Sequence, residues 1–283
     1  MSTPDIRDLD PQLVRIYEAA VDLYNRQNKA VASLTETSAS INATHFLTRQ
    51  TIVFATAALR HMEDAHQPLM PAVALLRTCL EAQARANHIV AATGVERERL
   101  ANQFIDMMAA GYDYYRMMIT KVNKDDAADI ADLPSKAQAI FAAIKPMVEN
   151  VDTSTVGALE DRYKDLLKKW TYNNVIGKKS LNDPKWKNRT QVQRLQSGLH
   201  VIYVKCCAFV HSDPTSMKLE KELSLLEESH TAVLAIISAI NSFFIALGKE
   251  DDAALQELNA AMVAFPLAEK TFKEMGYRLP SNG

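Results

Sequence analysis

At 283 residues and 48% hydrophobic, the chain is long enough to bury a full core, and its net charge of −2 gives no overall pull towards nucleic acid or a membrane surface. Ten prolines and only eight glycines, among many Ala, Leu, Met, Glu and Lys, argue for helices joined by short turns. Three cysteines, Cys79, Cys206 and Cys207, lie in apolar runs without metal-ligand spacing, which argues against a disulfide framework and for reduced, buried thiols in a cytoplasmic protein.

The N-terminal MSTPDIRDLDPQ has neither a basic n-region nor an apolar h-region, so no secretory leader is expected. Leu13, Ile16, Tyr17, Ala20, Leu23 and Tyr24 form the apolar stripe of a first helix, opened by Pro11. A second helix is predicted from about Ala43 to Ala65, with Phe46, Ile52, Val53, Ala57 and Met62 inward. Gln67-Pro68 marks a tight connection to a third, Pro71 to about Ala92, which Gly94 would stop. A fourth runs from Val95 to about Val122 and is rich in Met and Tyr: Met107, Met108, Tyr112, Tyr115, Met118.

The acidic stretch from Asn123 to Asp132 reads as a turn, and Pro134 begins a helix ending near Asn150. Thr155 to Trp170 is periodic again through Leu159, Tyr163, Leu166 and Leu167. Thr171 to Thr190 has no sustained period and exceeds the usual loop length, so a basic loop or lid is expected there. Helices follow over Val201 to Pro214, Lys218 to Leu247, Asp251 to Met262 and Pro266 to Met275, before a free tail at 279–283. Within them, Ala232 to Gly248 carries no charge, but it is short for a membrane span and is interrupted by Ser238, Asn241 and Ser242. A central core helix is expected, and no membrane contact. The prediction is an all-α, single-domain bundle of roughly eight to ten helices.

Two of these helices carry titratable groups in oil. Between Leu69 and Ala82 the only ionisable side chains are Arg77, Cys79 and Glu81, and the run VIYVKCCAFVHSDP ends in His211, Ser212 and Asp213. A helix apolar nearly all round is buried, and buried charges persist only when paired, so Arg77, Glu81 and His211 are expected to meet in the interior. Arg77 and Glu81 stand four apart, with Arg85 and His88 continuing the face. Glu before Arg would serve helix stability better, so propensity does not explain the pair. Two readings stay open. Either the pair fixes helix packing, or Glu81 holds Arg77 so that its remaining donors meet a phosphate or carboxylate.

His211 ends the stripe His200, Val204, Cys207, with Tyr203 on its edge, and a helix-end imidazole can act as acid or base near neutral pH. Ser212 and Asp213 before Pro214 also suit a plain helix cap. A metal set of Glu81, His211 and Asp213 lacks a supporting motif, so no metal is assigned. Cys207 as nucleophile beside His211 is geometrically conceivable, but its apolar run favours an inert thiol. No phosphate-binding or dinucleotide glycine motif is present, and no cofactor is assigned. From Arg162 to Arg194 ten positive charges oppose two negative, a local +8 that includes Lys178 and Lys179. Trp170, Tyr172 and Trp186 interleave with them, a pattern suited to base stacking with phosphate contact; the alternative is a solvated loop kept soluble by its lysines.

The run R-T-C-L-E-A (Arg77 to Ala82), followed by Y-x3-C-x3-H-S-D-P (Tyr203 to Pro214), resembles a bacterial all-helical family in which an R-[ST]-x-x-E helix and a late H-[SG]-x-P helix recur. The resemblance covers roughly residues 40 to 245 by motif order and spacing. It implies an all-helical fold and no agreed activity. More distantly the chain is similar to HEPN domains, whose R-x4–6-H acts on the RNA phosphodiester. Here the late helix has Lys205-x5-His211, with Lys in place of Arg, while Arg60-x5-His66 lies on an early helix. The assignment from sequence is therefore a protein that binds, and by the HEPN likeness cleaves, an RNA or nucleotide in stress or phage defence. Arg77, Glu81 and His211 are its catalytic candidates, and Tyr203, Lys205, Ser212, Asp213, Lys178, Lys179 and Trp186 its ligand contacts. A homodimer is a further expectation. The competing assignment is a structural or partner-binding protein whose Arg–Glu–His cluster only fixes packing.

Overall fold

In a computed structural model the residues described are 9–34, 37–63, 69–125, 156–176, 203, 206, 207, 210 and 225–265. They are helical with short turns, and no strand occurs among them. The all-α class follows directly. The helices are α1 (Pro11–Ala32), α2 (Ala39–Glu63), α3 (Met70–Ala91), α4 (Gly94–Asp125), α5 (Val156–Lys169), α6 (Tyr172–Ile176), α7 (Leu225–Ala246) and α8 (Ala253–Val263). The chain groups into two compact units, Met1–Ala101 with Val175–Gly283, and Asn102–Asn174. The helix expected from Pro134 to Asn150 and the one from Pro266 to Met275 lie outside the described residues.

In the first unit α2, α3 and α7 pack on one another, α1 lies on α7, and α8 touches both α1 and α7. The α1 stripe is buried as predicted, and Asp10 caps the helix by accepting from the Gln12 and Leu13 N–H groups. Among the described residues α7 is the one helix long and apolar enough to cross a membrane, yet residues 228 to 244 are buried within the protein. It is a core helix. Its C-terminal carbonyl of Ile245 and the Ala92 carbonyl after α3 both accept from Arg97, which places a cation at two helix ends. Glu98 does the reverse at the start of α2, accepting from the Ser40 N–H and hydroxyl.

The predicted phase of α2 needs correction. Val53 is exposed, and Phe46 and Ala57 are only half-buried. Ile52 and Met62 are inward as predicted, and they share that face with Leu47, Ala55, Leu59, Thr44, Thr48, Thr51 and Thr56. Each threonine finds an acceptor or partner: the Ser40 carbonyl for Thr44, Leu47 for Thr51, Ala239 on α7 for Thr48, and the Tyr17 hydroxyl for Thr56. A threonine so satisfied buries its methyl like a small apolar residue, which a hydrophobicity pattern reads as polar. The core of α7 has a comparable device. Ser238 accepts from the Gln83 side chain at 2.8 Å and from Asn87 at 3.2 Å, and Ser242 donates to Asn87. The serines that interrupt the apolar run are therefore the hydrogen-bonded seam between α3 and α7.

In the second unit α4 turns Phe104, Met107, Ala110 and Gly111 inward. Trp170 packs edge-on against Phe104, with ring centroids 5.2 Å apart. At Gly111 a Cβ would stand 2.8 Å from Cε2 of Tyr163 on α5, so glycine permits the approach of the two helices. Gly111→Ala gains about 1 kcal/mol of helix propensity but overpacks against a ring, a cost of about 1–3 kcal/mol. A net loss in urea midpoint is expected; a gain would show that the Tyr163 ring moves freely.

Candidate functional site

Arg77, Glu81 and Arg85 follow one another at four-residue spacing along α3, so they form one slanted row on its surface. Leu76, Cys79, Leu80 and Gln83 on the adjoining face are buried and hold the helix in place. Glu81 is the hub. Its Oε1 lies 3.3 Å from Arg77 Nε and accepts from the Tyr203 hydroxyl at 3.0 Å, and its Oε2 lies 3.6 Å from an Arg85 terminal nitrogen. The Arg77 Nε–H is not aimed into a hydrogen bond, so its attraction to Glu81 is electrostatic. The Arg77 guanidinium also sits 5.9 Å from the centroid of the Tyr203 ring, a cation–π contact.

The three charged side chains are 19–24% exposed. The expected interior cluster is thus a half-open one at the rim of the core, because the long Arg and Glu stems reach outward from a buried backbone. Burial alone would lower the Arg77 pKa, but Tyr203, Cys207 and Glu81 outweigh it and keep the guanidinium charged. Burial, then the Glu81 charge, push the Tyr203 phenol well above its ordinary value. Tyr203 therefore remains a neutral donor to Glu81 at any ordinary pH.

Tyr203, Cys206, Cys207 and Val210 are helical, with Tyr203 and Cys206 buried and Val210 exposed. None of the three cysteines is in a disulfide. Burial, with Cys206 nearby, pushes the Cys79 thiol far up and leaves it inert. Cys207 departs from the expectation of three buried thiols, since it is only half-buried.

His211, Lys205, Ser212, Asp213, Lys178, Lys179 and Trp186 lie outside the described residues, as do His200 and Val204. The structure thus brings together Arg77, Glu81 and Tyr203 from the predicted set. Arg85 joins them, and its i+8 spacing from Arg77 was the signal for it. Two aromatic residues expected to interleave with the basic segment as stacking platforms are corrected: Trp170 and Tyr172 are buried in the core. The expected loop also starts as a helix, since α6 covers its first residues. Their side chains supply packing that the lysine-rich composition hid.

Comparison with protein-family profiles, curated proteins and solved structures found no match.

Proposed function

We propose that the Arg77–Glu81–Arg85–Tyr203 cluster recognises a phosphate-bearing ligand such as RNA or a nucleotide, in a stress or phage-defence setting. The observation supporting this is charge. Two guanidiniums flank one carboxylate in a half-open row, so the row presents two cationic forks around a single anion. Glu81 orients the arginines, and a planar guanidinium fork suits the oxygens of a phosphate. His211, Lys205, Ser212 and Asp213 from the late run, with Lys178, Lys179 and Trp186, belong to this proposal as further contacts. So do the family and HEPN likenesses, the cytoplasmic setting and a single bundle of eight to ten helices. Lys205 in the place of the HEPN arginine favours binding over cleavage, because a lysine cannot grip a phosphate bidentately.

A second reading has its own support. Tyr203 both donates to Glu81 and lies beside Arg77, so the cluster also ties a late helical run to α3, as a packing lock would.

Thermal-shift titration with nucleotides and short RNAs separates the two. A ligand at about 100 times its Kd adds about 2.7 kcal/mol, a rise of roughly 5–10 °C in Tm for a chain of this size. The rise should shrink with added salt and in Arg85→Gln. No shift with any phosphate compound would leave the packing lock.

A further inference from the structure

In the first unit α1 and α8 flank a groove of about 1000 Å³ that takes no part in the Arg77 cluster. It is lined along α1 from Gln12 to Lys29, a run of about 25 Å at about 1.5 Å per residue. The floor is Ile16, Ala19 and Leu23 of α1 with Leu258 and Ala261 of α8. Ile16, Leu23 and Leu258 are buried and fixed in the core, while exposed Ala19 and half-buried Ala261 are too short to fill the space above them. Arg15, Arg26 and Lys29 line the α1 side with Asp22 among them, and Glu257 lines the α8 side. None of these five exposed side chains is engaged in an ion pair or a side-chain hydrogen bond.

We propose that this groove receives an amphipathic helix of a partner protein, with an acidic edge laid against α1. Size argues for a helix. A cylinder about 10 Å across and about 25 Å long displaces about 2000 Å³, so a helix sunk to half its depth fills the groove. Backbone chemistry argues for it too. Both walls are helices whose main-chain groups are already paired, so an extended peptide finds no strand edge to bond, whereas a helix arrives with its own hydrogen bonds made. Large apolar side chains on its inner face would take up the space over Ala19 and Ala261. Charge sets the rest of the chemistry. Arg15, Arg26 and Lys29 against Asp22 leave the α1 side with a surplus of two positive charges, which suits glutamate or aspartate along the facing edge of the partner. Glu257 suits a base on the opposite edge.

The probe is a labelled designed helix of about 18 residues, with leucines on one face, glutamates along one edge and a lysine on the other. Titrating the full chain into it, up to about 500 µM, should give saturable binding. Ala19→Trp fills the floor from an exposed position, so it should weaken binding at least tenfold with an unchanged melting curve. Arg15→Glu with Arg26→Glu should weaken it about tenfold, and this variant should prefer a second probe in which the glutamates are lysines. No binding at about 500 µM, as when another part of this chain or a second copy fills the groove, overturns the proposal. So does binding that Ala19→Trp leaves unchanged, or equal affinity of the parent for the two probes, the mark of unspecific adhesion to leucines.

Discussion

Lowering the pH from about 6.5 to about 4 is expected to cost the folded protein on the order of 3 kcal/mol through His230 alone. This imidazole is buried on α7, stacks on Phe265 with centroids 5.3 Å apart, and its Nε2 has no hydrogen-bond partner. Burial therefore pushes its pKa down from 6.5 to about 4. The sign follows from proton binding. Above the unfolded value both states are neutral and the full stability is present. As pH falls below it the unfolded chain takes up a proton that the folded chain refuses, and stability drains until the folded pKa is reached. His45 and His88 are also lowered by burial and add in the same direction. Urea midpoints across this range should fall steeply, and His230→Leu should flatten much of the slope. An equal slope in that variant would show that other groups govern acid unfolding.

Glu81→Ala is the substitution expected to act most strongly at the candidate site, at about 2 kcal/mol. It leaves Arg77 and Arg85 as like charges on one face and deprives the Tyr203 hydroxyl of its carboxylate acceptor. The loss lies below the roughly 3–5 kcal/mol of a fully buried broken pair because water still reaches all three charged side chains. Replacing Arg77 by Met together with Glu81 by Leu should recover part of it, since Arg77 is then no longer a cation left without its carboxylate, and only Arg85 and the Tyr203 hydroxyl lose Glu81. Chemical denaturation measures both. A Glu81→Ala protein as stable as the parent would mean that the cluster holds nothing together.

The sequence made the helical class, the stripe of α1 and the core position of α7 legible because each rests on a period or an uninterrupted apolar run. It also pointed to Arg77 and Glu81, as charges among oil, and to Tyr203 at the edge of a late helix. The burial depth was not legible. Whether a long side chain on a buried helix ends in the core or at its rim depends on the neighbouring helices, which a one-dimensional pattern does not carry. The same limit explains Thr48 and Ser238, polar by type yet buried through partners far along the chain. It explains Trp170 as well, whose lysine neighbours suggested a surface role while Phe104 holds it inside.

The central claim is that Glu81 restrains two arginines that meet a phosphate. An anisotropy titration of a labelled short RNA with the parent, Arg85→Gln and Glu81→Gln proteins tests it most directly. Loss of one charge-assisted contact should weaken binding by about tenfold in Arg85→Gln. Glu81→Gln removes the competing carboxylate, so it should bind a few-fold more tightly although it is less stable. Equal affinity in all three proteins, or weaker binding in Glu81→Gln than in Arg85→Gln, would contradict the account.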